Sequence, residues 1–119
     1  MRYEDLDIDG VSLVIVHGDI VSDSQRRLVD HVRSLLVDGR RQILLDLAGV
    51  RHVDSRGLGE LIECYKAARD FGGDVKLLHI TDRVSDLLVV TKLVSVFECF
   101  DSREAALDGF QVVPVAVAR

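Results

Sequence analysis

Residues 42–47, QILLDL, form a short, nearly unbroken apolar run between Arg40-Arg41 and Gly49. A run of that length and character suits a central strand covered on both faces. Such a strand requires helices packed over it, and the chain supplies them in alternation. Upstream, SDSQRRLVDHVRSLLVDG places Leu28, Val32, Leu35 and Leu36 on one helical face. Ser22, Asp23 or Ser24 can cap that helix, and Gly39 stops it. Downstream, Leu58, Leu61, Ile62, Tyr65 and Ala68 follow helical spacing until Gly72-Gly73.

The remaining elements follow by the same reading. Residues 3–8 and VSLVIVHG (11–18) read as two strands joined by Asp9-Gly10, a hairpin signal. VKLLHI (75–80) is a further strand. Thr81 or Asp82 opens a helix with Val84, Leu87, Leu88 and Thr91 facing inward. SVFECF (95–100) reads as a short alternating strand, and Ser102 caps a last helix, REAAL, ended by Gly109. Pro114 limits the tail VVPVAVAR to an edge strand or a loose end. The order β-β-α-β-α-β-α-β-α predicts an α/β fold with a mostly parallel mixed sheet, an N-terminal antiparallel hairpin and about four helices. The 119 residues fit one domain, 1–119, with a core over 3–109 and a tail over 110–119. Aromatic residues are only 5% and Trp is absent, so that core must be aliphatic.

Composition narrows the function classes. The net charge of −5 argues against nucleic acid, because phosphate binding needs clustered Lys and Arg. Arg40-Arg41 reads as decoration of a turn. Cys64 and Cys99 have no C-x-x-C spacing, so neither a disulfide framework nor a zinc site is expected and a reducing cytoplasm is. No apolar signal region opens the chain, and no run approaches the ~18 apolar residues of a membrane span.

Chemistry concentrates in HVDSRGLGEL (52–61), at a strand-to-helix junction on the carboxyl side of the predicted sheet. Ser55 has two readings. Its hydroxyl can cap the helix, since Ser and Asp are preferred caps. Alternatively it accepts a phosphate, which would be favoured at a helix N-terminus and would add about −1.5 to −2 charge. Gly57 and Gly59 suit close packing of the first helical turn against the sheet. A nucleotide cradle is disfavoured, because the P-loop lysine is missing and Ile62 stands where G-x-G-x-x-G needs its third glycine. His17, His31, His52 and His79 are scattered, and each reads as a surface or edge residue. No catalytic residue, metal ligand or cofactor is expected. Val89 and Val90 lie off the inward helical face, either under a neighbouring loop or in a partner patch.

The stretch ILLDLAGVRHVDSRGLGEL resembles the signature of STAS domains, specifically of anti-sigma factor antagonists. The resemblance lies in Asp46-Leu47 at a strand end, then Asp54-Ser55, then Gly57-Leu58-Gly59. It extends through GGDVKLLHITDRVSDLLVVTKLVSVFECFDSREAAL, covering roughly residues 3–109. It implies a partner-switching protein rather than an enzyme. Ser55 would be phosphorylated by an anti-sigma factor that is also a serine kinase, and a serine phosphatase would reset it. Asp54, Arg56, Gly57, Asp19 and Val21 would lie in the partner-binding surface. Homodimer formation is left open. Two departures stand out. Arg56 replaces a residue that is often small in the family. In GDIV, Asp19 and Val21 replace the Glu and Asp of the usual G-E-L-D. The rival reading is an unphosphorylated STAS subunit with a fixed place in a signalling or lipid-transport assembly. An enzyme or small-ligand binder of similar fold is a more distant one.

Overall fold

The computed structural model describes residues 2–20 and 28–110. The chain runs β1 (Arg2–Ile8), β2 (Val11–His17), α1 (Leu28–Val37), β3 (Gln42–Gly49), α2 (Ser55–Asp70), β4 (Asp74–Leu78), α3 (Asp82–Val90), a 3-10 turn (Leu93–Ser95), β5 (Cys99–Phe100) and α4 (Arg103–Gly109). The five strands form one sheet in the order β1-β2-β3-β4-β5. β1 pairs antiparallel with β2, and every other pairing is parallel. The expected mixed sheet with its N-terminal hairpin is therefore present. Asp9 at φ 52° and Gly10 at φ 87° both occupy the left-handed region, as a two-residue hairpin turn requires.

Alternation along β3 distributes the core. Ile43, Leu45 and Leu47 face α1, α2 and α3, together with Leu28, Val32, Leu36, Leu61 and Leu88. Leu44 points the other way, joining Leu13, Leu78, Ala106 and Phe110 under the short α4. The central strand is thus covered on both faces, which accounts for its apolar run. The basic pair after α1 does more than decorate a turn. Arg40 donates to the Ser12 hydroxyl at 2.6 Å and to Asp7 at 2.7 Å. That guanidinium holds the Asp7 carboxyl below its ordinary range. Arg41 donates to the Leu36 carbonyl at 2.9 Å, satisfying an end group of α1.

Three local expectations are corrected. The strand expected over 95–100 shrinks to Cys99–Phe100, and Phe97 before it is buried and meets the Tyr65 ring edge-on at 5.6 Å. The 3-10 turn over Leu93–Ser95 and the helical backbone of Val96 that ends it delay the extended chain to Cys99. Thr91 is exposed rather than inward, since α3 has already ended and its hydroxyl donates back to the Leu87 carbonyl at 2.7 Å. Val89 and Val90 are 58% and 78% exposed, so among the described residues no loop covers them. The expected caps at Ser22, Asp23 and Ser24, and the tail from 111 onward, lie outside the described residues.

The contrast between faces is testable by denaturant unfolding. Leu61→Ala, at a fully buried position, should cost about 2–5 kcal/mol. Val90→Ser should change stability by no more than about 0.5 kcal/mol.

Candidate functional site

The carboxyl ends of β2 and β3 converge on Asp54-Ser55. After β2 the chain continues alongside the loop that follows β3. The Ile20 amide donates to the His52 carbonyl at 3.0 Å, and the Asp54 amide donates to the Ile20 carbonyl at 3.3 Å. An isolated parallel bridge pairs Ile20 with Val53. The Asp19 carboxylate accepts from the His52 amide at 3.2 Å. These bonds fasten the loop carrying Asp19 to the loop carrying Asp54, so two predicted site residues 35 positions apart in sequence become neighbours (54 minus 19).

Asp54, not Ser55, caps α2. Its backbone is extended, with φ −84° and ψ −179°, and its carboxylate accepts from the Gly57 amide at 2.7 Å. A carboxylate at this end also complements the helix dipole. The reading of Ser55 as the cap is therefore corrected. Ser55 is the first helical residue and is exposed to solvent. Its hydroxyl is left available because its neighbour has taken the capping role. Arg56 is exposed beside it.

Gly57 meets the close-packing expectation, but against a strand end rather than the sheet face. A Cβ at position 57 would sit 1.8 Å from the Ile20 carbonyl oxygen, a backbone atom with no freedom to step aside. Gly59 does not meet the expectation, because a Cβ there touches nothing within 4 Å. One turn further, the buried Glu60 accepts from the Val29 amide at 3.0 Å, near the start of α1. The residues flanking 21–27 on both sides are thus attached to the first turns of α2. Val21 itself lies outside the described residues.

Beside Asp54 a cleft of about 340 Å³ opens between the 51–54 loop and α3, lined by Arg51, His52, Val53, Asp54, Arg83 and Leu87 among others. A second cleft of about 400 Å³ adjoins it and shares Arg51, His52 and Arg83. Arg83 donates to Nδ1 of His52 at 3.4 Å. Arg51 and Arg83 were not singled out in the sequence. Arg83 stands 28 positions after Ser55 (83 minus 55), in a helix read only for its inward face. The clusters around the other histidines are structural ties. His17 pairs with Glu4, His31 with Asp5 at 2.8 Å while stacking on Tyr3, and His79 with Asp46 at 3.4 Å. Among the described residues, no group of three His, Cys, Asp or Glu side chains is placed to hold a metal. Both cysteines are free thiols, and burial together with Asp101 pushes the Cys99 thiol up, away from a reactive thiolate. Among the described residues, no helix is long and apolar enough to cross a membrane.

The glycine assignments separate cleanly. Gly57→Ala should destabilise by about 1–3 kcal/mol, because the Ile20 backbone must move. Gly59→Ala should be neutral or stabilise by up to about 1 kcal/mol through helix propensity. In the same unfolding series, Asp54→Ala should cost about 1 kcal/mol as a lost cap, and Ser55→Ala less than about 0.5 kcal/mol.

Known proteins share this frame. The STAS domain profile matches residues 4–106. The Anti-sigma F factor antagonist of Paenibacillus polymyxa is 29% identical over 110 aligned residues, spanning 87% of this chain and 90% of that one. The crystal structure of an anti-sigma factor antagonist from Mycobacterium paratuberculosis superposes with a TM-score of 0.79 at 23% identity, covering 92% of each chain. The Bacillus cell fate determinant SpoIIAA in its phosphorylated form superposes with a TM-score of 0.70 at 12% identity, covering 92% of this chain and all of that one. With the profile spanning nearly the whole described chain, from the hairpin to α4, this protein belongs to the STAS domain family.

Proposed function

We propose that this protein is an anti-sigma factor antagonist whose binding to an anti-sigma factor is switched by phosphorylation of Ser55. The observation that carries this reading is the division of labour at the start of α2. Asp54 supplies the cap, and Ser55 is left exposed. A serine that capped the helix would have to surrender its hydrogen bond to be modified. This one does not.

The partner is an anti-sigma factor with serine kinase activity. The γ-phosphoryl group of ATP passes to the Ser55 hydroxyl oxygen; the new P–O bond replaces the bond to ADP, and the hydroxyl proton leaves to a base on the kinase. A serine phosphatase reverses the step by hydrolysis. Unphosphorylated, the surface around Ser55, Asp54, Arg56, Gly57 and Asp19 docks on the anti-sigma factor; Val21, outside the described residues, is assigned to that surface from the family resemblance alone. The added charge opposes docking by repulsion and desolvation at a closely packed interface. The free thiols suit a cytoplasmic setting. The protein acts by binding and performs no catalysis of its own.

Incubation with an anti-sigma factor kinase and ATP, followed by mass spectrometry, tests the acceptor. Phosphate should map to Ser55 and be absent from Ser55→Ala. Labelling that persists in the alanine variant, or maps to Ser102, contradicts the assignment. No labelling at all favours a fixed subunit of a larger assembly. Calorimetric titration of the anti-sigma factor should show Ser55→Asp binding about tenfold more weakly, roughly 1.4 kcal/mol, since the mimic carries less charge than a phosphate. Equal affinities would rule out a charge switch.

A further inference from the structure

Some cations of the described residues are tied to a carboxylate or a carbonyl and others, Arg56 among them, are not; what sets Arg51 and Arg83 apart is that both line one cleft together with Asp54. Arg33 faces Glu63 at 3.9 Å, and Arg40 faces Asp7 at 2.7 Å. Arg41 is occupied by a backbone carbonyl. Among the described residues, Arg51 and Arg83 have no carboxylate at ion-pair distance; the one partner of Arg83 is the His52 ring. In a chain of net charge −5, carboxylates are plentiful, yet these two guanidinium groups face a cleft instead. Asp54, one of the residues lining that cleft, is bonded to Ser55.

We propose that the cleft between the 51–54 loop and α3 receives the phosphoryl group once Ser55 carries it, with Arg51 and Arg83 as its ligands and His52 between them. This rests on Ser55 as the phosphoacceptor. The chemistry of the site fits. Guanidinium groups are planar, permanently charged and matched to phosphoryl oxygens. At the start of α2 the Asp54 carboxylate already occupies the Gly57 amide, so a phosphoryl group on Ser55 would compete with it for that donor. Asp54 lines the same cleft, so the attraction of the two guanidinium groups has to outweigh its repulsion. The phosphorylated protein then buries its own charge in its own cleft and covers Arg51 and Arg83 at the same time. Phosphorylation thereby covers two cations beside the docking surface as well as changing the charge at Ser55 itself.

The test uses protein with phosphoserine installed at position 55 during synthesis, so that its outcome is independent of whether any kinase recognises Ser55. The second ionisation of the phosphoserine is followed by phosphorus NMR in the otherwise unchanged protein and in Arg51→Gln/Arg83→Gln. Glutamine keeps much of the side-chain stem, and amide spectra verify that the variant is folded. The groups facing the phosphoryl group are Arg51, His52, Arg83 and Arg56 on one side, and Asp54 and Asp82 on the other. Ordinary phosphoserine loses this proton near pH 6. The cleft predicts a midpoint lower by about half a unit or more in the unchanged protein than in the double variant, the direction expected when cations favour the dianion. Equal midpoints overturn the proposal. So does a shift abolished by Arg56→Gln alone, which places the phosphoryl group on the first turn of α2. A second arm titrates inorganic phosphate into unphosphorylated protein while His52 ring signals are watched. Weak or absent saturation is expected without covalent attachment to raise the local concentration. Tight saturation with an unshifted phosphoserine midpoint would make the cleft a site for free phosphate and overturn attachment through Ser55.

Discussion

Gly57 lies so close to the Ile20 carbonyl that no side chain fits between them. The arrangement of the site depends on that contact. It sets the first turn of α2 directly against the chain leaving β2, and the backbone bonds from Ile20 to His52 and Asp54 complete the junction. Because the contact is with backbone, it fixes the relative position of two loops without calling on any side chain at the surface. Asp54 then caps the helix, and Ser55 stands clear of both duties. Adding or removing charge at Ser55 therefore acts on a rigid platform.

Buried polar groups reinforce the same frame. Glu60 reaches from α2 to the Val29 amide in α1, a charge-assisted bond inside the helical layer. On the opposite face Lys76 pairs with Glu98 and Asp74 and lies over the Phe110 ring at 5.2 Å, so a buried ammonium is fully accounted for. Both ties hold elements at a distance from Ser55. The cleft side differs: Arg51, His52 and Arg83 are exposed, and the one side-chain bond among them runs from Arg83 to His52. The molecule pairs its buried ammonium in the interior and leaves solvent-exposed guanidinium groups beside the proposed switch, an arrangement that suits a surface that changes partners.

Much of the fold was legible in the sequence because it is written in local periodicity. The apolar run of β3, the Asp9-Gly10 turn and the caps at Thr81 and Ser102 all announce themselves within a few residues. What escaped was non-local. The chain before Cys99 is a 3-10 turn over Leu93–Ser95 and an irregular stretch, and the partner of the buried Phe97 is Tyr65, on α2. At the site, Ser and Asp are both good caps, and the sequence alone did not decide between them. Backbone geometry did. Arg83 reaches the cleft through the β4-to-α3 connection, and no short motif marks it. Gly57 and Gly59 looked equivalent, yet only Gly57 meets a neighbouring chain.

If Ser55 is a surface switch on a rigid frame, phosphorylation must leave the frame alone. The most direct measurement compares amide NMR spectra and unfolding free energies of the unmodified and Ser55-phosphorylated protein. Shifts should be confined to the 51–58 loop and first turn of α2 and to the facing end of α3, with stability altered by no more than about 1 kcal/mol. Shifts spreading through β3 and α1, or loss of the α2 helical pattern, would contradict it and mean that phosphorylation works by refolding the domain.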